Sequence, residues 1–186
     1  MKRLIGILLS VVLLLGCSKE NAGLKRALEF RNSLLQSTGG TFDAVITADY
    51  LDILHTFKMN CKWDSLGEIQ FTVLQPDSIS GITGIISNDT GKILFDDKAL
   101  FFDTMADGMV SPVSAPWVAL LAMRSGYIKG VGESDCGYRI ELDDSYKQKA
   151  LNVNLEMNTD FIPLSAEIYY DGRRVVSISF EHFAIL

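Results

Sequence analysis

The sequence is poor in the residues from which metal and catalytic centres are built. It contains three cysteines and two histidines among 186 residues. His55 and His182 are far apart, and each lies in a segment with the pattern of a β-strand. A structural zinc site needs about four closely spaced ligands, and a catalytic centre needs a nucleophile, a base or a metal set. The sequence therefore predicts no metal, no cofactor and no enzymatic activity.

Positive charge and long apolar runs are also scarce. Lys and Arg number 17 against 23 Asp and Glu, a formal net charge of −6, whereas nucleic-acid binding depends on clustered Lys and Arg. The mostly apolar run from Leu4 to Leu15 is shorter than the roughly 20 residues that a membrane-spanning helix needs. These shortages argue against a nucleic-acid partner and against a transmembrane helix.

The N-terminus has instead the pattern of an export signal. Basic Lys2 and Arg3 precede the short apolar run, which ends in Leu-Leu-Gly-Cys at Cys17. This ending resembles the lipobox of bacterial lipoproteins, in which cleavage before the cysteine leaves its thiol to carry diacylglycerol. The resemblance implies that residues 1–16 are removed and that lipid on Cys17 anchors the protein to a bacterial membrane, outside the cytoplasm. The alternative is an ordinary signal peptide with a chance cysteine.

The predicted mature chain is long enough for one domain with its own core. Loss of Lys2 and Arg3 with the signal leaves 15 basic and 23 acidic residues. Residues 17–22 are predicted to form a short lipidated tether and residues 23–186 the folded domain. Cys61 and Cys136 are predicted to form a disulfide, because such bonds persist in extracytoplasmic compartments. The alternative is two buried free thiols that behave as small apolar residues.

Two periodicities divide the mature chain. Apolar residues three and four apart between Lys19 and Thr38 predict an amphipathic helix. The prolines and apolar residues between Ser111 and Gly126 predict a second, mostly apolar helix that lies against the concave face of a sheet. Elsewhere apolar and polar residues alternate, which predicts about eleven antiparallel strands with one buried face. The predicted strands cover residues 42–50, 53–63, 68–73, 81–87, 92–95, 99–102, 127–131, 138–142, 151–157, 164–170 and 176–180.

This order of elements resembles the LolA, LolB and RseB group of bacterial proteins. The likeness covers nearly all of the mature chain and includes Leu74-Gln75-Pro76 after the third strand and residues 160–163 before the penultimate strand. It implies a mainly β fold, an unclosed antiparallel half-barrel with an N-terminal amphipathic helix and a central plug helix. A lipidated chain of this length is also similar to the GerS type, which partners a cell-wall amidase. The nearest candidates for an exposed apolar loop like that of LolB are Phe101-Phe102 and residues 105–110.

Two functions follow as hypotheses. In the first, the concave apolar face binds an acyl chain of a lipid or of another lipoprotein, unless the plug helix is permanently seated and the same residues only fill the core. In the second, an edge or exposed face of the domain binds and supports an extracytoplasmic cell-wall enzyme. The residues predicted to line the concave face are Phe42, Ile46, Phe71, Val73, Trp117, Leu120, Leu121, Tyr138, Ile140 and Ile168.

Overall fold

The fold is an open antiparallel sheet that wraps around a buried helix. The computed structural model describes residues 22–50, 53–87, 90–95, 98–106, 109–143 and 151–186. Two α-helices, α1 (Ala22–Gln36) and α2 (Ala115–Ser125), accompany short 3-10 turns at Asp77–Ile79 and Pro112–Ser114. The strands are β1 (Gly39–Tyr50), β2 (Ile53–Asp64), β3 (Ile69–Gln75), β4 (Thr83–Ser87), β5 (Thr90–Phe95), β6 (Lys98–Asp103), β7 (Met105–Ala106), β8 (Met109–Val110), β9 (Tyr127–Ser134), β10 (Gly137–Asp143), β11 (Leu151–Asn158), β12 (Pro163–Tyr170) and β13 (Arg173–Ile185).

Eleven of these strands form one sheet in the order β6-β5-β4-β3-β2-β1-β13-β12-β11-β10-β9. The last strand pairs with the first, so that Ala44 lies opposite Phe180 and Ile46 opposite Ile178. The sheet does not close, since β6 and β9 stand at its two ends. The predicted unclosed half-barrel is therefore confirmed. The two-residue strands β7 and β8 form a separate hairpin, and they are too short to produce an alternation that the sequence could reveal.

Helix α2 is the plug of the half-barrel. Eight of its eleven residues are buried, including Trp117, Leu120 and Met123. Pro116 lies in the first turn of the helix, where the missing N–H of proline costs no hydrogen bond. The predicted helical segment 111–126 is confirmed, with the difference that residues 112–114 form a 3-10 turn before α2 begins.

Helix α1 packs where β1 begins, held by arginine side chains. Arg26 Nη2 donates to the backbone oxygen of Thr159 at 2.7 Å, and Arg31 Nη2 donates to that of Gly126 at 2.6 Å. From α2, Arg124 donates to Leu34 O at 3.1 Å and to Ser65 O at 2.7 Å. These bonds join the two helices to each other, to the start of β9 and to the turns that follow β2 and β11. Such charge-assisted bonds to carbonyls are stronger than neutral ones.

The predicted bond between Cys61 and Cys136 is not formed in this structure. Cys61 and Cys136 are both free thiols. Cys61 lies on the inner face of β2 with no exposed surface, and burial raises the pKa of its thiol far above the ordinary value. Cys136 is exposed in the turn between β9 and β10, so the two sulfur atoms are held in different surroundings. Cys17, the predicted lipid attachment site, lies outside the described residues, as does the signal segment 1–16.

Candidate ligand-binding face

The ten residues predicted to line the concave face belong to one apolar cluster. Eight of them are no more than 7% exposed, and Leu121 and Tyr138 are partly buried against the same cluster. The structure therefore brings the predicted residues together around α2. In this arrangement the centre of the half-barrel is packed, as expected for a seated plug helix. Ligand binding by these ten residues stays a prediction.

Aromatic rings lie over glycines at three places on the inner face of the sheet. Trp63 lies opposite Gly40, and Phe71 opposite Gly84. A Cβ atom built on Gly84 would come within 2.4 Å of the Phe71 ring. Phe102 lies over Gly91 in the same way, with a ring atom 2.1 Å from the Cβ position. Because glycine has no side chain, an aromatic ring can lie flat over it along the sheet, and this contact is known to stabilise glycines in strands.

The apolar inner face continues past the plug helix to the open end of the sheet. Strand register places Phe71 opposite Gly84, Gly84 opposite Ile93, and Ile93 opposite Leu100. Directly paired residues share one face of an antiparallel sheet, so this row runs along the concave side. Phe71 is 3% exposed, Ile93 is partly buried and Leu100 is 65% exposed. Apolar surface thus emerges from the core at β5 and β6.

The opposite face of the same hairpin is apolar as well. Phe101, next to Leu100 on β6, points to the outer side and is 71% exposed. Its ring lies 5.8 Å from Lys92 Nζ, and Leu94 on the outer face of β5 is 41% exposed. Phe101 and Phe102, one candidate for an exposed apolar loop, therefore lie in a strand. Both residues pair with β5, and their side chains point to opposite faces of the sheet. In the other candidate segment, Val110 is buried, and residues 107–108 lie outside the described residues.

Two cavities lie elsewhere on the described surface. A groove of about 430 Å³ separates α1 from the turn at residues 160–163, with apolar walls that include Phe30, Phe161 and Phe183. The other, of about 400 Å³, lies on β2, β3, β4 and β5 and has a mixed polar and apolar lining. Of the ten predicted lining residues, only Phe71 borders either cavity. The sequence therefore did not predict the groove beside α1.

A cluster of charged residues occupies the outer face of β1, β2 and β13. Lys58 Nζ lies 2.7 Å from Glu181 Oε2 and 3.9 Å from Asp43 Oδ2, and its hydrogen bond to Glu181 raises the pKa of the ammonium group. His182 Nδ1 lies 3.3 Å from Asp43 Oδ2. One carboxylate oxygen each of Asp43 and Glu181 and one ring nitrogen of His182 lie within 4.8 Å of one another. The Lys58 ammonium group offsets one of the two negative charges of Asp43 and Glu181, and the cluster forms a surface ion-pair network.

The chain belongs to a structural class of β proteins, the open antiparallel half-barrels with a buried helix. Its apolar inner face is uncovered at β5 and β6. No helix in the described ranges combines the length and the apolar character needed to span a bilayer. No protein-family model and no curated protein matches the chain. Several solved structures do match.

One is a putative outer membrane lipoprotein-sorting protein domain from Vibrio parahaemolyticus, with 8% identity, 86% of this chain and 91% of that chain covered, and a TM-score of 0.51. A DUF1329 family protein from Desulfovibrio piger shows 13% identity, coverage of 91% and 94%, and a TM-score of 0.50. A LolA superfamily protein from Nitrosomonas europaea shows 10% identity, coverage of 86% and 93%, and a TM-score of 0.45. At such identities the shared property is the fold. The fold that the predicted resemblance implies is therefore confirmed by the structures from Vibrio parahaemolyticus and Desulfovibrio piger.

Proposed function

We propose that the protein is a non-catalytic extracytoplasmic lipoprotein, anchored through lipid on Cys17, that binds an acyl chain on the uncovered end of its concave face. The observation that carries this proposal is the row from buried Phe71 to exposed Leu100. The similar domain from Vibrio parahaemolyticus is named for lipoprotein sorting, and an acyl chain is the apolar part of a lipoprotein. The proposal therefore assigns the acyl chain to Ile93, Leu100 and the ring of Phe102.

The packed centre of the half-barrel explains why the site is placed at β5 and β6. Trp117 and Leu120 of α2 are at most 7% exposed, so an acyl chain in the centre would have to displace the helix. At β5 and β6 an acyl chain displaces no part of the protein, because the side chain of Leu100 is already mostly exposed. Each methylene group transferred from water to this surface contributes about 0.8 kcal/mol. A chain of several methylenes can bind there without any rearrangement of the fold.

Two neighbouring residues provide a matched test. Leu100 faces the concave side and Phe101 the outer side of the same strand, with exposures of 65% and 71%. Native mass spectrometry of residues 18–186, purified without detergent, is expected to show a bound mass that organic extraction removes. After extraction, Leu100→Gln is expected to weaken uptake of added fatty acid about tenfold, since roughly 1.4 kcal/mol of apolar contact is lost. Phe101→Gln is expected to bind as the unaltered protein does.

The same experiment can contradict the proposal. A bare mass that takes up no added fatty acid or lipopeptide would exclude acyl-chain binding, and equal weakening by both substitutions would exclude the concave face as the site. The anchor is tested separately by the intact mass of the protein extracted from bacterial membranes. A chain that begins at Cys17 and carries the mass of two or three acyl chains supports the anchor, and an unmodified cysteine contradicts it.

The second candidate function, support of an extracytoplasmic cell-wall enzyme, is favoured by the outer face of the same hairpin. Strand β6 ends the sheet, and a strand in that position can pair with a strand of another protein. A partner that also covers the outer face of the hairpin would contact Phe101 more than Leu100. A stable complex without lipid that Phe101→Gln weakens more than Leu100→Gln supports this function. The reverse order supports acyl-chain binding.

A further inference from the structure

Exposed apolar side chains gather at the end of the half-barrel where β1 begins. Register places Gly39 opposite Asp64, so the turn that contains Leu66 lies at this end. Gly40 lies opposite Ile185, so β13 finishes there too. The turn between β11 and β12, which contains Ile162, belongs to the same end, because β12 runs antiparallel to β13. Leu66 is 89% exposed and Ile162 is 42% exposed.

Helix α1 contributes a third set of exposed leucines at this end. Leu28 and Leu35 are 50% and 52% exposed, and Leu24 is 39% exposed. At 100° per residue these three side chains lie within an arc of about 40°. Buried Ala27 and Leu34 point in another direction, into the core. The leucines of α1 therefore form a stripe in addition to the face that packs against the domain.

Specific contacts join these residues into one surface. Arg124 donates to Leu34 O and to Ser65 O, so the turn with Leu66 lies beside the C-terminal half of α1. On its other side, α1 borders the groove of about 430 Å³, whose walls include Ile162 and Ile185. We call this the basal surface and define it by Leu24, Leu28, Leu35, Leu66 and Ile162.

The length of chain before α1 indicates what covers this surface. Five residues of chain lead from Cys17 to Ala22, and a fully extended chain of that length spans at most about 17 Å. We propose that the basal surface lies on the lipid bilayer that holds the anchor. The inference rests on the lipid anchor of the proposed function. It adds the orientation of the domain, with the leucine stripe of α1 against the acyl chains at the membrane interface.

The charges near the stripe indicate which lipids are needed. Helix α1 carries Lys25, Arg26 and Arg31 against Glu29, and the adjoining turns and the end of α2 add Arg124, Asp64, Glu68 and Asp160. These four positive and four negative charges leave little net attraction for anionic head groups. Contact with the bilayer should therefore depend on apolar burial rather than on charge. Vesicles of zwitterionic phosphatidylcholine are sufficient to test the orientation, and the result should change little with salt.

Single cysteines can report the orientation. The background is Cys136→Ser, which removes the exposed thiol, while Cys61 is fully buried and has a raised thiol pKa. The variants Leu28→Cys and Leu66→Cys place a thiol on the basal surface. Leu54→Cys is the matched control, because Leu54 is 69% exposed and lies near the start of β2, at the other end of the strands. The measurement is the rate of labelling by a membrane-impermeant maleimide, for the lipidated protein on phosphatidylcholine vesicles and for residues 18–186 in solution.

On vesicles, labelling at positions 28 and 66 is expected to slow by about tenfold or more, because these side chains enter the interface. Labelling at position 54 is expected to stay within about twofold of the rate in solution. Equal rates at all three positions, or protection at position 54 alone, would overturn the inference.

A second anchor separates this inference from the question of lipid on Cys17. Residues 18–186 with an N-terminal hexahistidine tag can be bound to phosphatidylcholine vesicles that contain a nickel-chelating lipid. Protection of positions 28 and 66 on these vesicles supports the basal surface even if Cys17 carries no lipid. Unprotected positions on both kinds of vesicle reject the basal surface, whatever the intact mass shows at Cys17.

Discussion

At the scale of single residues, the glycines under aromatic rings are tightly constrained positions. A Cβ atom on Gly40 would lie 2.1 Å from the Trp63 ring and 2.3 Å from the backbone oxygen of Ala184. Trp63 is 1% exposed and is surrounded by Phe42 and Phe183, whose ring centroids lie 5.7 and 5.2 Å from its own. The ring therefore has no room to move away from an added methyl group. By contrast, Gly130 on β9 has no atom within 4 Å of its Cβ position.

Gly40→Ala is expected to lower the free energy of unfolding by about 1–3 kcal/mol, the usual cost of overpacking a core. Gly130→Ala should leave it unchanged or raise it by up to about 1 kcal/mol, because alanine has fewer unfolded conformations than glycine. Urea unfolding of residues 18–186 measures both. Similar stabilities for the two variants would contradict the close contact between Trp63 and Gly40.

A bulge near the end of β13 shows how one residue changes the face of a strand. Val176, Ile178 and Phe180 point inward, and strict alternation would place His182 inward as well. The register shifts between Thr41 and Asp43 of the partner strand, and His182 has a φ angle of 54°. An extra residue of this kind reverses the alternation. Phe183 consequently stacks on Phe42 at a centroid distance of 5.6 Å, and the side chain of His182 is 80% exposed.

At the scale of elements, a carboxylate network joins β12 to β13. Glu167 Oε1 accepts a hydrogen bond from Arg174 Nη1 at 2.7 Å, and Glu167 Oε2 accepts one from Tyr169 Oη at 3.0 Å. The bond from Arg174 is the main cause of a lowered pKa of the Glu167 carboxyl group. A carboxyl group with a lowered pKa in the folded state stabilises the protein above its unfolded pKa near 4.5. That contribution is lost as the pH falls through the lower pKa of the folded state.

The stability of the Glu167→Gln variant is expected to fall less on acidification than the stability of the unaltered protein. At pH 6 the variant should be less stable by about 0.2–1 kcal/mol, the range for exposed ion pairs. The difference should shrink as the pH falls from about 4.5 to the lower pKa of the folded state, because the unfolded chain takes up a proton at Glu167 first and the folded protein follows at lower pH. Urea unfolding from pH 6 to pH 3 checks this, with exposed Glu133→Gln on β9 as the control. A constant difference between Glu167→Gln and the unaltered protein at every pH would contradict the network.

At the scale of the whole molecule, burial is unequal along the sheet. Strands β1 and β13 lie at the centre of the strand order and carry fully buried residues such as Ala44 and Ile46. Strand β6 ends the sheet, and every residue on it except Phe102 is exposed. Local opening costs least where few apolar contacts must be broken. Strands β5 and β6 are therefore the part of the sheet that can adjust to a ligand at least cost.

Native-state hydrogen exchange is expected to show this gradient. Amides in the paired segments of β1 and β13 should exchange slowest, at rates set by global unfolding, and those of β5 and β6 should exchange fastest among the strands. Added acyl ligand should slow exchange in β5 and β6 and leave β11 and β12 unchanged, since these strands lie elsewhere in the sheet. Uniform protection across the sheet without ligand would contradict the unequal stability.

Local pattern determined the elements of this protein. The alternation in stretches such as residues 151–157 predicts a strand because successive side chains point to opposite faces, and the structure has β11 at Leu151–Asn158 with every second residue buried. The stretch that contains Trp117 predicts the plug helix because its apolar residues recur at helical intervals. Each of the eleven predicted strands and both predicted helices is present, with ends that differ by a few residues. The half-barrel itself was implied by the resemblance of this order of elements to a known family of proteins.

Tertiary structure alone decided which parts of these elements are covered. Leu100 and Phe71 follow the same alternation on the same inner face, yet one is 65% exposed and the other 3%, because Phe71 packs within the core cluster and Leu100 lies on the end strand of the sheet. The structure also places the two cysteines in different surroundings, with Cys61 buried and Cys136 exposed in a turn, and the sequence could not show this difference. The groove beside α1 and the basal surface depend on contacts between residues far apart in the chain, such as Arg124 with Ser65. Periodicity reports the direction of a side chain, and only the folded chain determines what lies in that direction.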